Sequence, residues 1–234
     1  MEGFYLFILW ISLAILGCGR MRPWEEMNEI QLTRLVMSEP KNDTARLYLG
    51  LLLYEQSRPD EAEPLFREAL ALNPDYPEAH YNLGRVLMDR RLYPDAEHEL
   101  REAIRLRPDY PDPHAVLGTI LMITGRDSGA VAEWTEALRL DPDNNHAHYN
   151  LGVWLYKQGR KDEAKKEFGE AIRINPDHAE AHGNLGIIYK EEGNYEKARE
   201  EFEAAIGLFE KHGKMEDAWK ARNMLENLPD LREP

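Results

Sequence analysis

The chain has 234 residues, 43% hydrophobic and 31% charged, enough apolar surface for a folded core. Lys and Arg number 29 against 43 Asp and Glu, and the net charge of −14 excludes a nucleic-acid binder, which needs a cationic surface to displace phosphate counterions. One cysteine excludes a disulfide framework and a cysteine-rich zinc site; no second run of 18 apolar residues exists, which excludes a multi-span membrane protein.

The chain opens MEGFYLFILWISLAILGCGRMR, and Phe4 to Leu16 is apolar or aromatic throughout except for Ser12. As a helix, Phe4 to Cys18 would span roughly 22 Å at about 1.5 Å per residue. That is short of the roughly 30 Å hydrocarbon layer and suits the core of a signal peptide. The run ends Ile15-Leu16-Gly17-Cys18, which resembles the lipobox of bacterial lipoproteins. In that family the cysteine is lipidated and becomes the new N-terminus. The resemblance implies a signal peptide over 1–17, lipidation at Cys18 and a tether over 18–22; more than one acyl chain would anchor the protein stably. Two features depart from the pattern and keep an uncut signal anchor open. Glu2 stands in a start that lacks Lys and Arg, and Arg20 and Arg22 directly follow the run, a bias that holds the C-terminal side of an anchor in the cytoplasm.

Beyond this segment the sequence repeats every 34 residues. Gly50, Gly84, Gly118, Gly152 and Gly186 keep that spacing, as do Ala62, Ala96, Ala130, Ala164 and Ala198. So do Ala69, Ala103, Ala137, Ala171 and Ala205, and a bulky set of Phe66, Leu100, Trp134, Phe168 and Phe202. Pro74, Pro108, Pro142 and Pro176 close four units. Five units in register, 43–76, 77–110, 111–144, 145–178 and 179–212, carry the pattern, which resembles the tetratricopeptide repeat. The resemblance implies an all-α fold: a right-handed α-solenoid of five helix-turn-helix units with capping helices. The physics agrees, because one unit is too short to bury an apolar face alone and neighbours must stack. At about 100° per residue, positions 4, 7, 8 and 11 of the first helix share one face, and positions 20, 24 and 27 of the second share another. Gly at 8 and Ala at 20 let the helices approach closely, the large residue at 24 fills the space beside them, and Pro at 32 ends the second helix. Gly125, Gly159 and Gly193 stand where helix C-caps belong.

Residues 23–42 precede the first unit. Leu32, Leu35 and Pro40 fall at positions 24, 27 and 32, which predicts an orphan helix over 23–38 covering the end of the stack. Pro64 is expected to bend or delay the first unit's second helix. The fifth unit has Glu210 in place of proline, so its second helix is expected to run to about His212 and stop near Gly213. Residues 213–234 read as a capping helix and tail, with Met215, Ala218, Ala221, Leu225 and Leu228 at helical spacing over 215–228.

The sequence carries no catalytic motif, and no enzyme, cofactor or metal is expected. His80, His114, His148 and His182 recur at position 4, on the core-facing side of the first helix. They stand too far apart to share one metal at the ~2 Å bonds zinc requires, so packing is the reading. His178 and His182 lie four apart but lack the Glu of an HExxH motif.

Positions 2, 5, 6, 9, 12 and 13 of each first helix point away from that core face. In the tetratricopeptide family they line an inner groove that holds an extended peptide or a partner helix. Carried over residue by residue, the groove comprises Asn82, Asn150 and Asn184 at position 6, Tyr81 and Tyr149 at position 5, Arg85 at position 9, and Tyr54, Met88, Met122 and Tyr156 at position 12. The asparagines resemble the ladder of the O-linked N-acetylglucosamine transferase superhelix, whose amides bind a peptide backbone; an amide offers both donor and acceptor. Val116 interrupts the ladder, and a helix-structural role for the asparagines is equally open. Leu47 and Leu51 stand where the chaperone-binding carboxylate clamp has Lys and Asn, which excludes that function. Glu55, Glu78, Asp89, Asp112, Glu180 and Glu191, against Lys157, favour a neutral or basic partner.

Together the resemblances imply a non-catalytic, membrane-tethered scaffold that binds a protein or peptide in its concave groove and supports assembly of a cell-envelope complex. It would be lipid-anchored in the cell membrane or outer membrane, facing the periplasm or exterior. Two alternatives stay open: a cytoplasm-facing adaptor held in the inner membrane by an uncut N-terminal anchor, and a structural protein that self-assembles.

Overall fold

The computed structural model describes residue 24 and residues 27–229, which contain twelve α-helices and no strand. The expected signal segment over 1–17, Cys18 and the expected tether over 18–22 lie outside the described residues. Among the described residues no helix is long and apolar enough to cross a membrane. They form two compact units, one ending at Val86 and one beginning at Leu87.

The N-terminal unit opens with α1 (Glu29–Ser38). Asn28 accepts from the Gln31 backbone N–H at 3.1 Å, and the Gln31 side chain accepts from the Asn28 N–H at 3.0 Å. This reciprocal capping box fixes the start of the helix at Glu29, later than the predicted residue 23, because Asn28 holds extended backbone as the cap. Leu32 is the buried residue of α1. There follow α2 (Asp43–Glu55), α3 (Pro59–Leu72) and α4 (Pro77–Asp89), within which the division between the units falls. Pro64 does not delay α3. The helix begins at Pro59, where a missing N–H costs nothing, and runs through Pro64 to Leu72.

The C-terminal unit continues with α5 (Tyr93–Leu106), α6 (Pro111–Ile123), α7 (Asp127–Leu140), α8 (Asn145–Lys157), α9 (Lys161–Ile174), α10 (Ala179–Glu191), α11 (Tyr195–Lys211) and α12 (Met215–Glu226). From α2 onward the helices make five helix-turn-helix pairs, and α12 follows the last. Four of the pairs are closed by the same kind of seam. A Cβ on Gly50 would stand 2.7 Å from the Phe66 ring, one on Gly152 2.8 Å from Phe168, and one on Gly186 2.8 Å from Phe202. On Gly118 it would stand 2.5 Å from Trp134, whose indole N–H donates to the Ala115 carbonyl at 3.1 Å. The ring at position 24 in these four pairs therefore lies directly against the backbone of its partner helix, and only hydrogen fits between them. Phe66, Leu100, Trp134, Phe168 and Phe202 are all fully buried, as are the ten alanines at positions 20 and 27.

The turn inside each pair is also uniform. The N–H groups of Arg58, Leu92, Arg126, Arg160 and Asn194 donate to the carbonyls of Leu53, Leu87, Leu121, Leu155 and Tyr189, the long bond of a Schellman cap. The residue before each donor is left-handed: Gly125, Gly159 and Gly193 at φ 76–77°, but Ser57 and Arg91 at φ 61°. A side chain in that region carries roughly 1–2 kcal/mol of strain. The same bond recurs between Lys214 and Phe209 after Gly213. Ala218 follows Gly213 at the interval by which Ala164 follows Gly159, and both are buried. Thus α12 packs on α11 as the second helix of a pair packs on the first. Ala218, Ala221 and Leu228 face inward. Met215, expected on that face, is 61% exposed because it opens the helix, before the turn that docks on α11.

Candidate inner-face binding site

In the N-terminal unit the predicted groove residues Tyr54 on α2 and Tyr81, Asn82 and Arg85 on α4 come together. The Arg85 guanidinium lies 4.5 Å from the Tyr54 ring centroid and 5.5 Å from that of Tyr81. Helical spacing places Tyr81 and Arg85 on one side of α4, four residues apart. Arg85 Nη1 donates to Asn82 Oδ1 at 3.3 Å, and Asn82 Nδ2 donates to the Glu78 carbonyl of its own helix at 2.7 Å. Asn82 is only 4% exposed, so at this rung of the ladder the amide serves the helix and the arginine.

The C-terminal unit holds the other six. Asn150 on α8 donates from Nδ2 to Thr119 Oγ1 of α6 at 3.1 Å. Asn184 on α10 donates from Nδ2 to the Tyr149 hydroxyl of α8 at 3.4 Å. These two rungs tie each first helix to the preceding one, and each uses one of the amide's four bonding positions. The Tyr149 ring stands 4.6 Å from the His178 ring and 6.0 Å from Phe168, and its burial raises the phenol's pKa. The Tyr156 hydroxyl donates to Glu191 Oε1 at 2.7 Å, which pushes its pKa up to about 12. The same bond, with Lys161 at 3.0 Å, lowers the pKa of Glu191. Met88 and Met122 are half-buried.

Two expectations need correction. Positions 5 and 6 do not simply face away from the core: Leu47 and Ala115 are each 2% exposed, and Asn82 is buried with them. Packing between successive first helices covers these positions, an effect that a single-helix projection leaves out. The position-4 histidines are not packing groups alone. His114, His148 and His182 each place Nδ1 2.6 Å from a carboxylate of the paired helix, Glu133, Glu167 and Glu201. Nε2 of His80, His148 and His182 meets the carbonyl of Pro74, Pro142 and Pro176 at 2.9, 3.0 and 3.3 Å. Glu133, Glu167 and Glu201 are spaced by 34, so the period contained this signal. Thr119, His178 and the Tyr156–Glu191 bond had no such signal, because each depends on two helices being adjacent.

With acceptors on both ring nitrogens, His148 and His182 satisfy both bonds only as imidazolium. Burial opposes the charge at His148, but Glu167, the Pro142 carbonyl and Glu170 outweigh it and raise its pKa. The Glu201 bond raises that of His182, whereas burial lowers that of His178. Among the described residues no group of three or more His, Cys, Asp or Glu is placed to hold a metal.

Sequence models described as tetratricopeptide repeat match residues 31–77, 47–111, 81–134 and 143–211, and one described as TPR repeat matches 118–159. No curated protein sequence matches the chain. Among solved structures, YrrB, described as a TPR protein with an unusual peptide-binding site, is 24% identical at a TM-score of 0.54, over 84% of this chain and all of YrrB. TTC0263 of Thermus thermophilus, a thermophilic TPR protein, is 24% identical at 0.66, over 78% of this chain and 98% of its own. PilF of Pseudomonas aeruginosa is 20% identical at 0.64, over 82% of this chain and 93% of its own. At these identities the likeness shows the fold. The family matches extend from residue 31 to residue 211, over the same helix pairs whose glycines lie beneath the position-24 rings, and the chain belongs to the tetratricopeptide repeat family.

Proposed function

We propose that the protein is a non-catalytic interaction scaffold that binds an extended segment of a partner protein along the inner faces of the first helices within a unit, while a lipid at Cys18 tethers it to a membrane of the cell envelope. The observation that carries the groove reading is the cross-linking of those helices by half-exposed polar side chains, Asn150 to Thr119 and Asn184 to Tyr149. Such side chains are held in one orientation, so little rotamer entropy remains to be lost when a peptide binds. Each amide keeps further donor and acceptor capacity for a main chain. YrrB, of the same fold, is described as having a peptide-binding site. Acidic residues outnumber basic ones at the groove positions, which favours a neutral or basic segment overall, although Glu180 and Glu191 are already paired with Lys214 and Lys161. The tether rests on the sequence Ile15-Leu16-Gly17-Cys18.

The groove is tested with an array of 12-residue peptides followed by amide hydrogen exchange on the best binder. Protection on α6, α8 and α10, and loss of at least about tenfold in affinity in Tyr149→Ala with Asn150→Ala at unchanged helicity, is expected. Protection confined to the second helices overturns the reading. The tether is tested by intact mass and membrane partition beside Cys18→Ala: a mass lacking residues 1–17 and carrying acyl chains supports it, and a full-length unmodified chain refutes it.

A further inference from the structure

We propose that Arg85 is the receptor for a single acidic side chain, Asp or Glu, carried by a partner segment on the inner face of the N-terminal unit; this rests on the groove reading above, applied to that unit. In a chain with 43 acidic residues against 29 Lys and Arg, arginines commonly sit beside a carboxylate. Arg67 pairs with Glu63, Arg139 with Glu136, and Arg173 with Glu170 and Asp143. Arg85 has no carboxylate partner among the described residues; its contacts are the two tyrosine rings and Asn82 Oδ1. It is half-buried on the inner side of α4 rather than extended into solvent.

The packing makes this cation a prepared one. Tyr54 and Tyr81 lie against the guanidinium and favour its charge through their negative faces. Asn82 engages one N–H of Nη1 at 3.3 Å, which sets the plane of the fork. A guanidinium has five N–H donors, so most of its capacity is uncommitted, and its planar edge matches a carboxylate with two parallel bonds. Charge decides between anions. One guanidinium balances one carboxylate, whereas a phosphate dianion would leave excess negative charge on a chain already at −14. The partner segment is therefore neutral or basic overall with one acidic residue, and that residue sets its register.

The test is a peptide array of 12-residue segments with amidated C-termini, probed with the full chain, with Arg85→Gln and with Arg85→Lys, after melting curves show that both variants fold. Expected is enrichment of Asp or Glu at one position among binders of the native chain. Replacing that residue by Asn or Gln, or Arg85 by Gln, should each lower affinity about tenfold or more without adding to one another, and Arg85→Lys should fall between. Binders with no acidic preference and equal affinity for Arg85→Gln overturn the assignment while leaving the groove intact. A parallel array of the same segments with free C-termini and with phosphorylated residues is the control: tighter binding of a free C-terminal carboxylate or a phosphopeptide than of an internal Asp or Glu overturns it as well. Absence of any binding to the inner face defeats both readings together.

Discussion

The inner faces of the two units use the same repeat positions for different chemistry. In residues 27–86 the face gathers around one cation, Arg85, stacked by Tyr54 and Tyr81. In residues 87–229 it is knitted from neutral groups and carboxylates, Asn150 to Thr119, Asn184 to Tyr149 and Tyr156 to Glu191. The backbone beneath is the same in both, because the seam of glycine against ring and the Schellman turn recur on either side of the division. The contrast separates the residues that build a repeat from those that give it a ligand. Positions 8, 20, 24 and 27 are fixed by packing, and positions 5, 6, 9 and 12 vary over them.

The largest expected effect tests whether the scaffold is common to both units. Phe66→Ala and Phe168→Ala each remove a ring with no exposed surface, and each should cost about 3–5 kcal/mol in urea denaturation. A cost several kcal/mol smaller in one unit would show that the seams are not equivalent. Next come Gly50→Ala and Gly152→Ala, which place a methyl group 2.7 and 2.8 Å from those rings; about 1–3 kcal/mol should be lost at each. Smaller again is the effect at the turns, where Ser57→Gly and Arg91→Gly relieve a left-handed side chain and should each gain about 1 kcal/mol. Equal thermal midpoints for variant and native chain would mean that the turn stores no strain.

The mildest expected effect is the pH dependence of the histidine links. For His148 and His182 the folded-state pKa is raised above 6.5, so their contribution is fully present below that pH and is lost as pH rises through the higher folded value. His148→Gln with His182→Gln should flatten the fall in stability between pH 6 and 8, measured by urea midpoints. His178 acts in the opposite sense. Its pKa is lowered by burial, so acidification below 6.5 costs stability, and His178→Asn should remove that cost. A double variant with the native slope would remove the imidazolium assignment for His148 and His182.

Much of the fold was legible in the sequence because the core positions depend only on helical periodicity and side-chain volume. Gly152, Ala164, Phe168 and Ala171 could be assigned to one seam from spacing alone. The edges were less legible: α1 begins where Asn28 and Gln31 cap each other, and Met215 stays exposed at the opening of α12. Of the inner face, the sequence supplied the positions but not their neighbours. It placed Arg85 at position 9 without showing that Tyr54, on the previous first helix, would lie 4.5 Å from it.

The sequence by itself therefore determined the repeat, its length, its helix pairs and the residues that close them, since these follow from contacts a fixed number of residues apart. Only the tertiary structure decided which inner-face groups are already engaged with one another and which retain capacity for a partner. Asn82 is turned inward to its own helix, Asn150 and Asn184 to the preceding first helix, and Arg85 has aromatic stacking but no carboxylate partner among the described residues. Those outcomes depend on the distance and rotation between successive first helices, which packing of the whole unit sets and which no single repeat encodes.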